Sequence, residues 1–94
     1  VRNILDVGCG MGGSSIYLAK NLEAEVTGIT ISPTQVEMAK KFAEIEKVHI
    51  DFKVMDADNL DIDEKFDCIW AIEAISHFNN WQKFFKDATN LLKP

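Results

Sequence analysis

Most of the chemical information sits in one run near the start of the chain, Asp6-Val7-Gly8-Cys9-Gly10-Met11-Gly12-Gly13. Gly8, Gly10 and Gly13 satisfy the GxGxxG spacing of dinucleotide-binding loops. Glycine lets the backbone turn sharply and approach a ligand closely. A helix starting after such a loop aims free N–H groups and its positive dipole end at whatever is bound there. The spacing alone says only that a nucleotide fits at a helix N-terminus; glycines at a strand–turn–helix joint also serve packing. Asp6, two residues before the first glycine, adds charge information. A carboxylate beside a pyrophosphate repels it, whereas it suits a ligand end carrying a cationic amino group and a sulfonium. A NAD site also expects an acidic residue about 20 residues on, at the end of the second strand. Thr30 holds that place, with no arginine beside it for a 2′-phosphate. The charge pattern favours S-adenosyl-L-methionine over NAD.

A second set of reactive types, Glu73-Ala74-Ile75-Ser76-His77-Phe78, follows the last apolar strand pattern. His77 has the right chemistry for a general base on a hydroxyl or phenol, since an unperturbed imidazole titrates near neutrality. The bland alternative is a histidine that caps a helix or lines a pocket. His49 falls on the wet face of a strand and is a weaker candidate.

These residues need elements to position them. Asn3 to Val7 reads as a buried strand ending at the glycine cluster. Ser14 to Leu22 reads as a helix with Ile16, Leu18, Ala19 and Leu22 as its inner side. Glu25 to Ile29 is a second strand. Ser32-Pro33 is a helix start, with Ser at the N-cap and Pro at the first helical position, and the helix runs to about Glu46. Val48 to Met55 alternates: Val48, Ile50, Phe52 and Val54 on one face, His49, Asp51 and Lys53 on the other, which places a third strand near a sheet edge. An acidic loop spans Asp56 to Lys65. Phe66 to Ile72 is apolar almost throughout, hence a fourth strand expected to be central in a larger sheet. Trp81, Phe84, Phe85, Ala88, Leu91 and Leu92 follow the spacing of a last amphipathic helix. Trp70 and Trp81 read as core aromatics.

The order β-α-β-α-β-β-α implies an α/β fold: a Rossmann-like, doubly wound parallel sheet with helices on its faces. Ligands of such sheets bind at the carboxyl ends of the strands. The glycine loop, Thr30, Asp56 and Glu73 all fall at or just past those ends.

Bulk properties narrow the class. The chain has 94 residues, 47% hydrophobic and 27% charged, with a net charge of −5. That suits one small globular unit, residues 1–94. Bases are scattered, so nucleic-acid binding through phosphates is not expected. Cys9 and Cys68 are too few for a disulfide framework, and a reduced cytoplasmic setting is the expectation. No apolar run is long enough to span a membrane. Unpaired, the fourth strand would leave Cys68, Ile69 and Trp70 on an exposed apolar edge. The chain is therefore expected to be part of a longer protein continuing past Pro94.

The motifs together resemble the class I S-adenosylmethionine-dependent methyltransferase family. Ile4 to Gly13 is similar to its first motif. Val26-Thr27-Gly28-Ile29-Thr30-Ile31-Ser32-Pro33-Thr34-Gln35 is similar to the second-strand segment of one branch, which holds tocopherol-type, sugar and other small-molecule methyltransferases and the cyclopropane fatty acid synthases. Thr with a Gln five residues on replaces the usual ribose-binding acid in that branch. Asp56-Ala57 and Phe66 to Glu73 match the segments after the third strand and along the fourth.

The resemblance implies the N-terminal part of a seven-stranded methyltransferase fold. It implies that Asp6, Gly8, Cys9, Gly10, Gly12 and Gly13 form the loop around the methionine end of the cofactor. Thr30, Ile31 and Gln35 would meet the ribose side, and Asp56 and Ala57 the adenine. Ile72 and Glu73 would lie beside the methionine moiety. His77, with Glu73, would serve the acceptor. Cyclopropane synthases usually carry Glu before that histidine; Ser76 here points to ordinary methyl transfer to a small molecule, without a metal. Cys9 reads as a small loop filler rather than a nucleophile. Two other classes stay open: a catalytically inactive binding module of the same fold, and an NAD-dependent oxidoreductase fragment.

Overall fold

The computed structural model describes residues 2–56, 59–71 and 81–93. The expectations placed on Ala57, Ile72, Glu73, Ser76 and His77 lie outside the described residues. The elements are β1 (Asn3–Val7), α1 (Gly13–Leu22), β2 (Glu25–Thr30), α2 (Pro33–Ile45), β3 (Ile50–Val54), β4 (Cys68–Trp70) and α3 (Trp81–Leu91). The strands form one parallel sheet in the order β3-β2-β1-β4.

Alternation along the strands divides the apolar residues between two cores, because successive side chains point to opposite faces. Ile4, Val26, Ile50 and Phe52 bury against Leu18, Val36, Ala39 and Ala43 from α1 and α2. Leu5, Val7 and Ile29 bury on the other face, against Phe66 and against Phe84, Ala88 and Leu91 of α3. The sheet is thus covered on both sides, as expected of a doubly wound unit.

Local signals act where the sequence placed them. The Ser32 hydroxyl accepts the backbone N–H of Gln35 at 3.2 Å and caps α2, with Pro33 in its first turn. The third strand is at an edge of the sheet, with Ile50 and Phe52 buried and Asp51 exposed.

Other details differ. β3 is shorter than Val48 to Met55, and Val54 is exposed where the strand runs out. β4 has three residues rather than seven, and Phe66 forms an isolated parallel bridge with Leu92. Among the described residues β4 pairs with β1 alone, with Cys68 exposed and Trp70 half-buried. Leu22 is exposed at the last turn of α1, where the chain leaves the helix through Glu23 in the left-handed region; Ser15 takes the inner-face position instead. Leu92 lies past the end of α3 and is exposed, whereas Phe84, Ala88 and Leu91 of the expected stripe are buried; the side chains of Trp81 and Phe85 lie outside the description.

Candidate functional site at the carboxyl ends of the strands

The loop after β1 turns through three glycines with positive φ, Gly8 (72°), Gly10 (57°) and Gly12 (92°). Gly12 is the most constrained. It combines a left-handed backbone with a close approach, since a Cβ there would lie 3.0 Å from the Ala39 Cβ and 3.1 Å from the Phe52 ring. Gly13 begins α1 with open space around a would-be Cβ. The conformationally demanding glycines are therefore 8, 10 and 12, not the 8, 10 and 13 picked out by the dinucleotide spacing.

Backbone hydrogen bonds fix the loop to the sheet. Gly8 and Cys9 both donate to the Ile29 carbonyl at 2.9 Å, which ties the loop to the end of β2. Gly12 N–H donates to the Cys9 carbonyl at 3.0 Å and closes the turn. Ile16 N–H then donates to the Gly12 carbonyl at 2.9 Å and starts α1. The N–H groups of Gly13, Ser14 and Ser15 are the first-turn donors, which no preceding helical carbonyl can receive.

Asp6 lies under this turn, 2% exposed. Its Oδ2 accepts the hydroxyls of Ser14 and Ser15, each at 2.6 Å. Both serines come from the first turn of α1, so a single carboxylate oxygen links strand and helix. Sequence reading missed them as a pair. Ser15 nonetheless gave a signal: a hydroxyl on the inner face of an amphipathic helix needs a buried partner. Opposite Asp6 in the β1–β2 register stands Gly28, where a Cβ would lie 2.9 Å from the Ser15 Oγ and 2.8 Å from the Phe52 ring.

Cys9 is buried beneath the same loop, with its thiol toward the Gly10 carbonyl at 3.7 Å. Burial, and next the negative charge of Asp6, push its pKa up to about 12. A thiol so raised stays protonated near neutrality and is a poor nucleophile, in keeping with a packing role.

At the end of β2 the buried Thr30 donates its hydroxyl to Gln35 Oε1 at 2.8 Å and accepts the Ser32 N–H at 3.3 Å. Thr30 and Gln35 thus meet across the β2–α2 joint. Ile31, between them, is 71% exposed. Met55 N–H donates to the Thr30 carbonyl at 2.9 Å and brings the end of β3 alongside. Asp56 follows, exposed, with its carbonyl accepting the Asn59 N–H at 2.9 Å. The glycine loop, Thr30, Gln35 and Asp56 therefore share the carboxyl edge of the sheet.

The amino edge is different. A cavity of about 430 Å³ there is lined by Asn3, Glu25, Thr27, His49, Asp51 and Glu64, among others. His49 belongs to that end, away from the loop. Among the described residues no cluster of three or more His, Cys, Asp or Glu is arranged to hold a metal ion, and no helix is long and apolar enough to cross a membrane.

A parallel sheet thus carries, at its carboxyl edge, a glycine turn leading into a helix N-terminus over a buried carboxylate, the edge at which open α/β sheets take their ligands. The chain belongs to the methyltransferase domain family, whose profile matches residues 4–94. It is 39% identical over its whole length to the chloroplastic tocopherol O-methyltransferase of Arabidopsis thaliana, of which it covers 28%. It is 45% identical over 97% of its length to the 2-methyl-6-phytyl-1,4-hydroquinone methyltransferase of Synechocystis, covering 29% of that protein. Among solved structures it superposes on the [4+2]-cyclase SpnF with a TM-score of 0.91 at 31% identity, covering 99% of this chain and 35% of that one. The chain thus spans less than a third of the length of the two curated relatives.

Proposed function

We propose that these residues are the cofactor-binding part of an S-adenosyl-L-methionine-dependent methyltransferase acting on a small organic acceptor. The observation that carries this reading is the Asp6 carboxylate held beneath a positive-φ glycine turn at the N-terminus of α1. The residues present fit the cofactor. First-turn N–H groups suit an α-carboxylate, and a fixed negative charge below the turn suits an ammonium and a sulfonium. Gln35, whose Oε1 is engaged by Thr30, keeps its amide hydrogens for a ribose oxygen. Exposed Ile31 offers an apolar flank at the β2 end. Asp56 and Ala57 would meet the adenine, and Ile72 and Glu73 the methionine side.

When bound, the cofactor supplies a methyl group already activated on a sulfonium. The chain's own task is then alignment and exclusion of water, and positioning of this kind supplies about 7–11 kcal/mol. His77 is assigned as general base where the acceptor loses a proton, a contribution of about 10²–10⁴-fold. The two relatives are named for tocopherol and a hydroquinone, which supports a hydroquinone-like acceptor here. The free thiols of Cys9 and Cys68 support a reducing compartment such as the cytoplasm.

A second reading has one specific observation behind it. SpnF, 31% identical, is described as a [4+2]-cyclase, and a shared fold does not fix the reaction. The deciding experiment uses the full-length protein with methyl-labelled cofactor and a panel of hydroquinones, alongside calorimetric titration with S-adenosylhomocysteine and NADH. Label transfer with S-adenosylhomocysteine binding is expected. Binding without any transfer favours the second reading, and binding of NADH alone sinks both.

A further inference from the structure

We propose that Ser14 and Ser15 are positioning residues that act through Asp6 on the amino-acid end of the cofactor. This rests on the reading of the glycine loop as an S-adenosylmethionine site.

The geometry is specific. Asp6 is 2% exposed and Ser15 0%, so the carboxylate is not a surface group that a ligand can grasp at will. Both hydroxyls donate to the same oxygen, Oδ2, at 2.6 Å, the short range of hydrogen bonds to an ionised acceptor. Two donors on one oxygen fix the carboxylate's rotation and hold its charge at a defined point below the turn. The fold is shaped around this arrangement. Ser15 is fully buried on the inner face of α1, where a hydroxyl is costly unless it is hydrogen-bonded. Position 28, across from Asp6, lacks a Cβ, and one there would meet the Ser15 Oγ at 2.9 Å.

The second consequence concerns Ser14. Its proton is committed to Asp6, so its oxygen has only lone pairs to offer. Ser14 is half-buried, unlike Asp6 and Ser15, and is therefore the accessible end of the network. An ammonium group entering the loop meets an acceptor oxygen backed by a carboxylate. The first-turn N–H groups beside it take the opposite charge of the same zwitterion. Ser14 and Ser15 thus confer selectivity for a ligand with an amino-acid tail.

The test compares two ligands on the full-length protein by calorimetry. S-adenosylhomocysteine has the amino-acid end, whereas 5′-methylthioadenosine keeps the nucleoside and thioether but lacks it. Ser14→Ala and Ser15→Ala are each expected to weaken the first about tenfold while leaving the second within about twofold, with Ser14→Thr restoring the first. Equal weakening of both ligands overturns the proposal in favour of plain packing. Unchanged affinity for S-adenosylhomocysteine overturns it as well. If Ser15→Ala fails to fold, the half-buried Ser14→Ala decides alone. Wild-type protein that binds neither ligand overturns the cofactor reading itself, and this proposal with it.

Discussion

Asp6 and Gly28 face each other across the β1–β2 register, and the space left by the missing Cβ at 28 is where the Ser15 hydroxyl reaches the Asp6 carboxylate. The Phe52 ring uses the same space from β3. A methyl group at 28 would sit 2.8 Å from that ring and 2.9 Å from the hydroxyl, closer than either neighbour tolerates. Gly28→Ala is therefore expected to lower stability by about 1–3 kcal/mol, the usual cost of overpacking. Chemical denaturation of wild type and variant measures it. An unchanged midpoint would mean that the ring and hydroxyl move aside freely, and that Asp6 is not held as tightly as its two short hydrogen bonds indicate.

Neighbouring glycines in the loop should respond in opposite directions. Gly12 has φ of +92° and lies against Ala39 and Phe52. Gly12→Ala adds about 1–2 kcal/mol of left-handed strain to that crowding. Gly13 opens α1 with nothing within 4 Å of a would-be Cβ. Gly13→Ala should leave the protein as stable or up to about 1 kcal/mol more stable, by reducing the freedom of the unfolded chain. Paired denaturation curves test the contrast. Equal loss in both variants would contradict the assignment of Gly12 rather than Gly13 as the constrained third glycine.

That contrast marks how far the sequence could be read. The strand–glycine–helix joint was legible because apolar periodicity and glycine clustering are local, and Ser32-Pro33 was legible because a cap and its helix are adjacent. Alternation placed β3 at an edge without any knowledge of its neighbour. The spacing of Gly8, Gly10 and Gly13 located the loop but not which of its glycines are left-handed, because a motif counts residues and does not report φ. The link from Asp6 to Ser14 and Ser15 depends on how a strand and a helix stack, and Gly28 depends on cross-strand register. Neither is encoded in periodicity. Leu22 and Leu92 matched helical spacing yet lie where the helices stop, so the pattern overran the element.

The buried thiol gives a pH dependence with a definite sign. Cys9 is raised from 9.0 to about 12, first by burial and then by the charge of Asp6. Between those values the unfolded chain has lost the thiol proton and the folded chain retains it. The folded state then binds more protons, so stability falls as pH rises through that window. Cys9→Ala should flatten this alkaline limb. Below pH 9 the same thiol should resist iodoacetamide in the native protein while exposed Cys68 reacts. Mass spectrometry of briefly alkylated native protein checks this. Modification of Cys9 at a rate comparable with Cys68 would show that the loop opens readily, and would undo the packing role.

The pairing of Thr30 with Gln35 separates a structural role from a binding role within one short segment. The helix cap uses the backbone N–H of Gln35 on the Ser32 hydroxyl, whereas the contact with Thr30 uses the Gln35 side chain. Gln35→Ala therefore removes the amide but keeps the cap, and α2 should remain intact. Thr30→Val keeps the shape but removes a buried hydroxyl that donates to Gln35 and accepts from Ser32, at a cost of about 1–3 kcal/mol. If this pair receives the ribose, both variants of the full-length protein should weaken S-adenosylhomocysteine about tenfold, the equivalent of one hydrogen bond to a sugar hydroxyl. Neither should change the affinity of the matching 2′,3′-dideoxyribose analogue, which has no hydroxyls to lose. If Thr30→Val destabilises the protein while Gln35→Ala alters neither affinity, the pair serves only to join β2 to α2, and the ribose must be held by other residues.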